Sequence, residues 1–236
     1  MSTGRGGPDR RGVRAKVEAQ RAAERRAERR RRVLIAAGAV VVVGGIIAVV
    51  VVNFPSSSSS SGTGPEGIAL QSGPVLASVS SAASGQTVDG ISCDASEQVA
   101  YHIHSHLAVY VNGQQRSVPY GVGVVQPVPS TVNGGTFVSA SQCYYWLHTH
   151  AQDGIIHVES PSQKQYTLGQ FFDIWKQPLS ANQVGPATGH VTAYVNGKAF
   201  TGDPRTITLQ EHEDIQLNVG EPQVSPQPVD WSHAQL

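Results

Sequence analysis

The chain has 236 residues, with 17 basic and 17 acidic side chains and a formal charge of zero. Twelve of the basic residues lie in residues 1–32 beside four acids, leaving Arg116, Lys164, Lys176, Lys198 and Arg205 against 13 acids in the remainder. That remainder has too few cations to neutralise phosphates, so no nucleic-acid partner is expected for it.

Residues 1–32 read as a basic cytoplasmic tail. The Arg/Ala/Glu stretch at 13–32 fits either a helix at an anionic leaflet or a disordered topogenic segment. Residues 33–52, VLIAAGAVVVVGGIIAVVVV, contain no charge and no Pro. Twenty helical residues reach about 30 Å, the thickness of a hydrocarbon core, so this run predicts one transmembrane helix. The arginines before it orient the N-terminus inward and residue 53 onward outward. The expected location is therefore the cell membrane, single-pass, with the lipid bilayer as partner. A cleaved signal peptide is the alternative, but its apolar region is normally shorter and ends at a small-x-small site.

Residues 53–87, with six serines at 56–61 and several Gly and Pro, read as a flexible linker that cannot bury enough apolar area to offset its chain entropy. A folded domain is expected over 88–222, and a C-terminal tail over 223–236. Cys93 and Cys143 both lie beyond the apolar run. In an oxidising space a disulfide is their default; the alternative is that Cys143, five residues before His148, is a thiolate ligand.

The strand-like run Tyr101–Val111 meets Asn112-Gly113, and a similar run from Val191 meets Asn196-Gly197. Asn-Gly between β-prone runs signals a hairpin, because both turn residues must accept positive φ. A third hairpin runs from Tyr144 to Glu159 with its turn at Asp153-Gly154. Thr167 and Gln170 fit a capping box, Leu168, Phe171, Phe172 and Trp175 form an apolar stripe, and Pro178 marks the helix end. Two further strands are expected over 206–209 and 214–219. The expected fold class is α+β: mostly antiparallel β hairpins with one amphipathic helix, preceded by one transmembrane helix.

Six of the nine histidines fall in two groups: His102, His104 and His106, and His148, His150 and His157. Strand side chains two apart share a face, so each group is one-sided. In the third hairpin a two-residue turn sets His150 opposite His157 and His148 opposite Glu159. A four-residue turn sets His148 opposite His157. Either even register puts His148, His150, His157 and Glu159 on one face. His102 and His106 lie some 13 Å apart along a strand rising about 3.3 Å per residue, so all three of the first group are not expected on one ion. Two of them are expected to join the second group, or two sites to form. His190, His212 and His233 are isolated.

Neutral imidazoles and a carboxylate suit a divalent transition metal, Zn or Cu foremost; with one Met in the chain, a thioether Cu(I) site is excluded. Three functions compete: an extracytoplasmic metal-binding domain for capture, buffering or sensing; a zinc enzyme with a three-His site and Glu159 as candidate base; and a tethered interaction domain without metal. The strings HIHSHLAVYVNG, LHTHAQDGIIHVESP and YTLGQFFDIW resemble a set of bacterial and archaeal extracytoplasmic domains with no established activity. The resemblance spans roughly residues 88–220. It implies that both histidine groups and the helix belong to one module, and implies no chemistry.

Overall fold

In a computed structural model of the chain, residues 63–236 are described. Their strands, in order, are β1 (Cys93–Asp94), β2 (Tyr101–Val111), β3 (Gln114–Arg116), β4 (Val124–Val125), β5 (Val128–Val132), β6 (Gly135–Ala140), β7 (Cys143–Tyr145), β8 (Leu147–His148) and β9 (Ile155–Ser160). After helix α1 (Leu168–Trp175) come β10 (Leu179–Ser180), β11 (Gln183–Val184), β12 (Ala187–Thr188), β13 (Val191–Val195), β14 (Lys198–Phe200) and β15 (Glu213–Val219).

The main sheet has seven strands in the order β14-β13-β15-β2-β9-β8, with β3 also paired to β2. Asn112-Gly113 and Asn196-Gly197 form two-residue turns, with φ values of 49° and 76° and of 50° and 74°. The mirror-image turns demanded by strand twist are thus met where the sequence offers Asn-Gly. β2 is long enough to serve two neighbours along one edge, β9 over its first half and β3 at its end, while β15 takes the other edge.

The expected α+β class is corrected. The described residues are mostly β, and their only α-helix is the eight-residue α1. No helix among them is long and apolar enough to cross a membrane; the apolar run at 33–52 lies outside the described residues. The sheet is also not purely antiparallel, because β15 runs parallel to β2. Of the two late strands, β15 forms, whereas residues 206–209 carry the end of a 3-10 turn and an isolated bridge from Thr208 to Thr167.

α1 begins as its sequence demands. Thr167 accepts from Gln170 N, and the Gln170 side chain accepts from Thr167 N. Its Leu168, Phe171, Phe172 and Trp175 are fully buried against Leu107, Val109, Leu147, Ile156, Val158, Ile215 and Leu217 of the sheet. One face of the sheet is therefore the apolar core.

The opposite face is buried as well, under polar cover. Residues 63–72 lie across it: Gln71 donates to Leu107 O at 2.7 Å, and its own carbonyl side chain accepts from Val118 N at 2.8 Å. The C-terminal residues return over the same face, with Gln216 and Asn218 donating to Val224 O. Gln235 N then meets Glu66 O at 2.8 Å, joining the two covers. The described part of the segment expected as a linker thus packs onto the domain, with Ile68, Leu76 and Ala83 buried. Cys93 and Cys143 form a disulfide with Cα atoms 5.4 Å apart, which excludes Cys143 as a thiolate ligand.

Candidate metal centre

Strand register assembles the site. β9 lies between β2 and β8, with His157 opposite His104 on one side and opposite His148 on the other, and with Glu159 opposite His102. The hairpin adopts the four-residue register, one of the two even alternatives. Beyond His148 the chain leaves the strand, yet it is held firmly. Thr149 N donates to Val122 O, Thr149 Oγ1 accepts from Val122 N and donates to Pro119 O, and Val138 N donates to His150 O. Gly123, at φ 69°, makes room: a Cβ there would collide with the Leu147 carbonyl oxygen.

His148, His150, His157 and Glu159 are all buried, and each offers a ligand atom within 4.8 Å of the others. The nitrogens facing away from the group are each engaged. His148 Nδ1 donates to Tyr145 O at 2.8 Å and His150 Nδ1 donates to Val138 O at 2.6 Å. A carbonyl can only accept, so both rings carry hydrogen on Nδ1 and their Nε2 lone pairs are free. Those two Nε2 atoms face each other at 3.0 Å. His157 Nε2 meets Glu66 Oε1 at 2.6 Å, while its Nδ1 is buried without a hydrogen bond, 3.5 Å from Glu159 Oε1, and Glu159 Oε2 is likewise buried without a hydrogen bond. Backbone carbonyls and a carboxylate behind imidazoles are the supports that fix tautomer and ring direction in metal sites.

The electrostatics agree with this arrangement. Burial, followed by the charges of His150 and His157, holds His148 well below the usual imidazole range, and burial with His157 also lowers His150. Burial would lower His157 too, but Glu66 and Glu159 override it and hold it at about 10. Glu66 would be raised by burial, yet His157 outweighs that and keeps it low. Asp153 beside it is pushed well above the usual carboxylate range, by burial first and then by Glu66.

In a second group, His102, His104 and His157 also bring ligand atoms within 4.8 Å of one another. His102 Nε2 pairs with Glu159 Oε1 at 3.0 Å, while His104 Nε2 is buried without a partner. His106 joins neither group. Its pairing partner on β9 is Ile155, and its Nδ1 lies 3.3 Å from Asp214 instead. His212 stacks on Trp231 at 4.5 Å, and His190 and His233 remain apart from the groups.

Sequence reasoning missed Glu66, Glu97 and Asp153. Glu66 is the only charged residue between positions 33 and 88, a signal visible in the sequence. Glu97 Oε1 lies 3.5 Å from His150 Nε2, at the mouth of a cavity of about 290 Å³ between Pro65, Phe137 and Gln235 that opens onto His150 and His157. Burial, then Glu159, raises the Glu97 pKa. Comparison of the chain with protein-family models, with characterised proteins and with solved structures returns no match.

Proposed function

We propose that His148, His150, His157 and Glu159 bind one divalent transition metal ion, Zn²⁺ or Cu²⁺, and that the domain captures or buffers that ion outside the cytoplasm. The observation that carries this reading is the pair of Nε2 lone pairs facing each other at 3.0 Å, with both Nδ1 hydrogens already given to carbonyls. Two lone pairs repel unless a cation lies between them. A proton there would create a buried imidazolium beside the already protonated His157, which the lowered His148 and His150 oppose. A tetrahedral ion with bonds of about 2.0–2.1 Å sets its nitrogens roughly 3.3 Å apart, close to what is seen. Three nitrogens and one carboxylate oxygen complete four-coordination, which favours retention of the ion over turnover. The Cys93–Cys143 bridge supports an oxidising, extracytoplasmic setting.

A metalloenzyme is the second reading. It draws on the cavity of about 290 Å³ and on Glu97 at its mouth, a carboxylate placed where a base would meet a metal-bound water.

The test is thermal unfolding of the metal-stripped full chain with and without Zn²⁺ or Cu²⁺. Ligand at 100 times its Kd stabilises by about 2.7 kcal/mol, a rise in Tm of roughly 5–10 °C for a domain this size. His150→Ala removes the rise and His233→Ala keeps it. No rise in the wild type with either metal refutes the reading.

A further inference from the structure

Resting on that first site, we propose that His102 and His104 hold a second divalent metal ion beside it, with Glu159 bridging the two. The sheet places a histidine pair on each side of β9: His102 and His104 from β2, His148 and His150 from the β8 side. Glu159 stands between them, with Oε1 shared by His102 and His157 Nδ1, the latter at 3.5 Å, and Oε2 toward His148. Its Oε1 is 3.0 Å from His102 Nε2 and its Oε2 is 3.9 Å from His148 Nε2. A carboxylate divided in this way matches the bridging ligand of two-metal sites, whose ions sit about 3.5–4 Å apart.

The donor count points the same way. Five imidazoles and one carboxylate exceed the four positions one tetrahedral ion accepts. The Nδ1 of His157 can serve only one ion, so the other pair is not redundant support for the first site. His104 is 5% exposed, and its Nε2 has no hydrogen-bond partner, a cost that nothing in the apolar core requires. Its ring lies 4.5 Å from that of His102 and 4.7 Å from that of His157. Glu211 Oε2 accepts from the His104 backbone N at 2.8 Å, which fixes the chain at this position. The His102 side chain is 33% exposed, so the second position borders solvent, whereas the four side chains of the first are all buried. The fitting ligand is a first-row divalent ion that accepts imidazole and carboxylate, and a matched or mixed pair fits equally.

The experiment is metal stoichiometry of the full chain, loaded with Cu²⁺, desalted and assayed for metal and for electron paramagnetic resonance intensity. Two equivalents per chain are expected, with far less than two spins of signal because a shared carboxylate couples the ions. The His102→Ala/His104→Ala double variant should keep one equivalent and give one full spin. His102→Ala alone, at a part-exposed position, should show the same loss if the double variant does not fold. One equivalent in the wild type, unchanged in these variants, overturns the second position and leaves the first intact. No bound metal in the wild type overturns both.

Discussion

Replacing Glu66 by Gln removes the carboxylate behind His157 while leaving an acceptor in its place. In the metal-free protein His157 is held at about 10 against the effect of its burial, chiefly by Glu66 at 2.6 Å and then by Glu159. An ion entering at neutral pH must therefore expel a proton from Nδ1. One displaced proton makes apparent affinity improve tenfold per pH unit up to that pKa. Between pH 7 and pH 10 this is about 1000-fold, or roughly 4 kcal/mol at 1.36 kcal/mol per unit. In Glu66→Gln the proton is held less tightly, so the improvement levels off nearer pH 7. The final affinity is also weaker, because a doubly charged ion loses more from the missing carboxylate than a proton does; outer partners of this kind contribute 10- to 100-fold. The variant should match or exceed the wild type at pH 7 and fall about 10- to 100-fold behind by pH 10. Competition against a chromophoric chelator across that range, corrected for the chelator's own titration, measures both curves. A wild-type affinity that is flat above pH 7, or equal slopes in the two proteins, would refute a protonated, Glu66-supported His157.

The metal-free protein should lose stability in acid. Burial holds His104 down to about 2 and, together with His157, lowers His148 and His150, so below about pH 6.5 the unfolded chain takes up protons that the folded chain refuses. Their stabilising contribution is present above pH 6.5 and is lost as pH falls, at up to about 4 kcal/mol per unit for three such groups. His157 acts in the opposite sense: its contribution is full below about pH 6.5 and is lost as pH rises toward 10. Urea midpoints that rise between pH 6.5 and 5 would contradict this. Reduction of Cys93–Cys143, which closes a separation of 50 residues, should cost about 4 kcal/mol by chain entropy, read as a lower denaturation midpoint in reductant.

The local signals of the sequence were reliable because each names a backbone requirement. Asn112-Gly113 and Asn196-Gly197 turn where positive φ is needed, and Thr167 caps α1. Strand parity brought His148, His150, His157 and Glu159 to one face even though the turn length was open, since both even registers keep it. What stayed hidden depends on distant chain segments. No local pattern announces that β15 lies parallel to β2, and that pairing brings Asp214 to His106 and withdraws it from the other histidines. Glu66 was masked by its Ser/Gly/Pro-rich context, whose composition suggested freedom while its Ile68 and Gln71 were anchoring it. The same long-range assembly made the fold class misleading, because hairpins and one helix were legible while the polar roof over the sheet was not.

The position of β15 has a kinetic consequence. It alone links the β13–β14 hairpin to β2, and its register joins Asp214 to His106, 108 residues earlier. Glu66 must likewise reach His157 across 91 residues. Contacts this distant in sequence form late and slowly, after the loops between them have closed. While the chain is being synthesised, β2 waits as an unsealed edge until residue 213 and beyond have arrived, with its histidines unsorted. Glu211 and Asp214 reach His104 and His106 only when this last segment is seated, so an ion that meets β2 earlier finds only loose imidazoles.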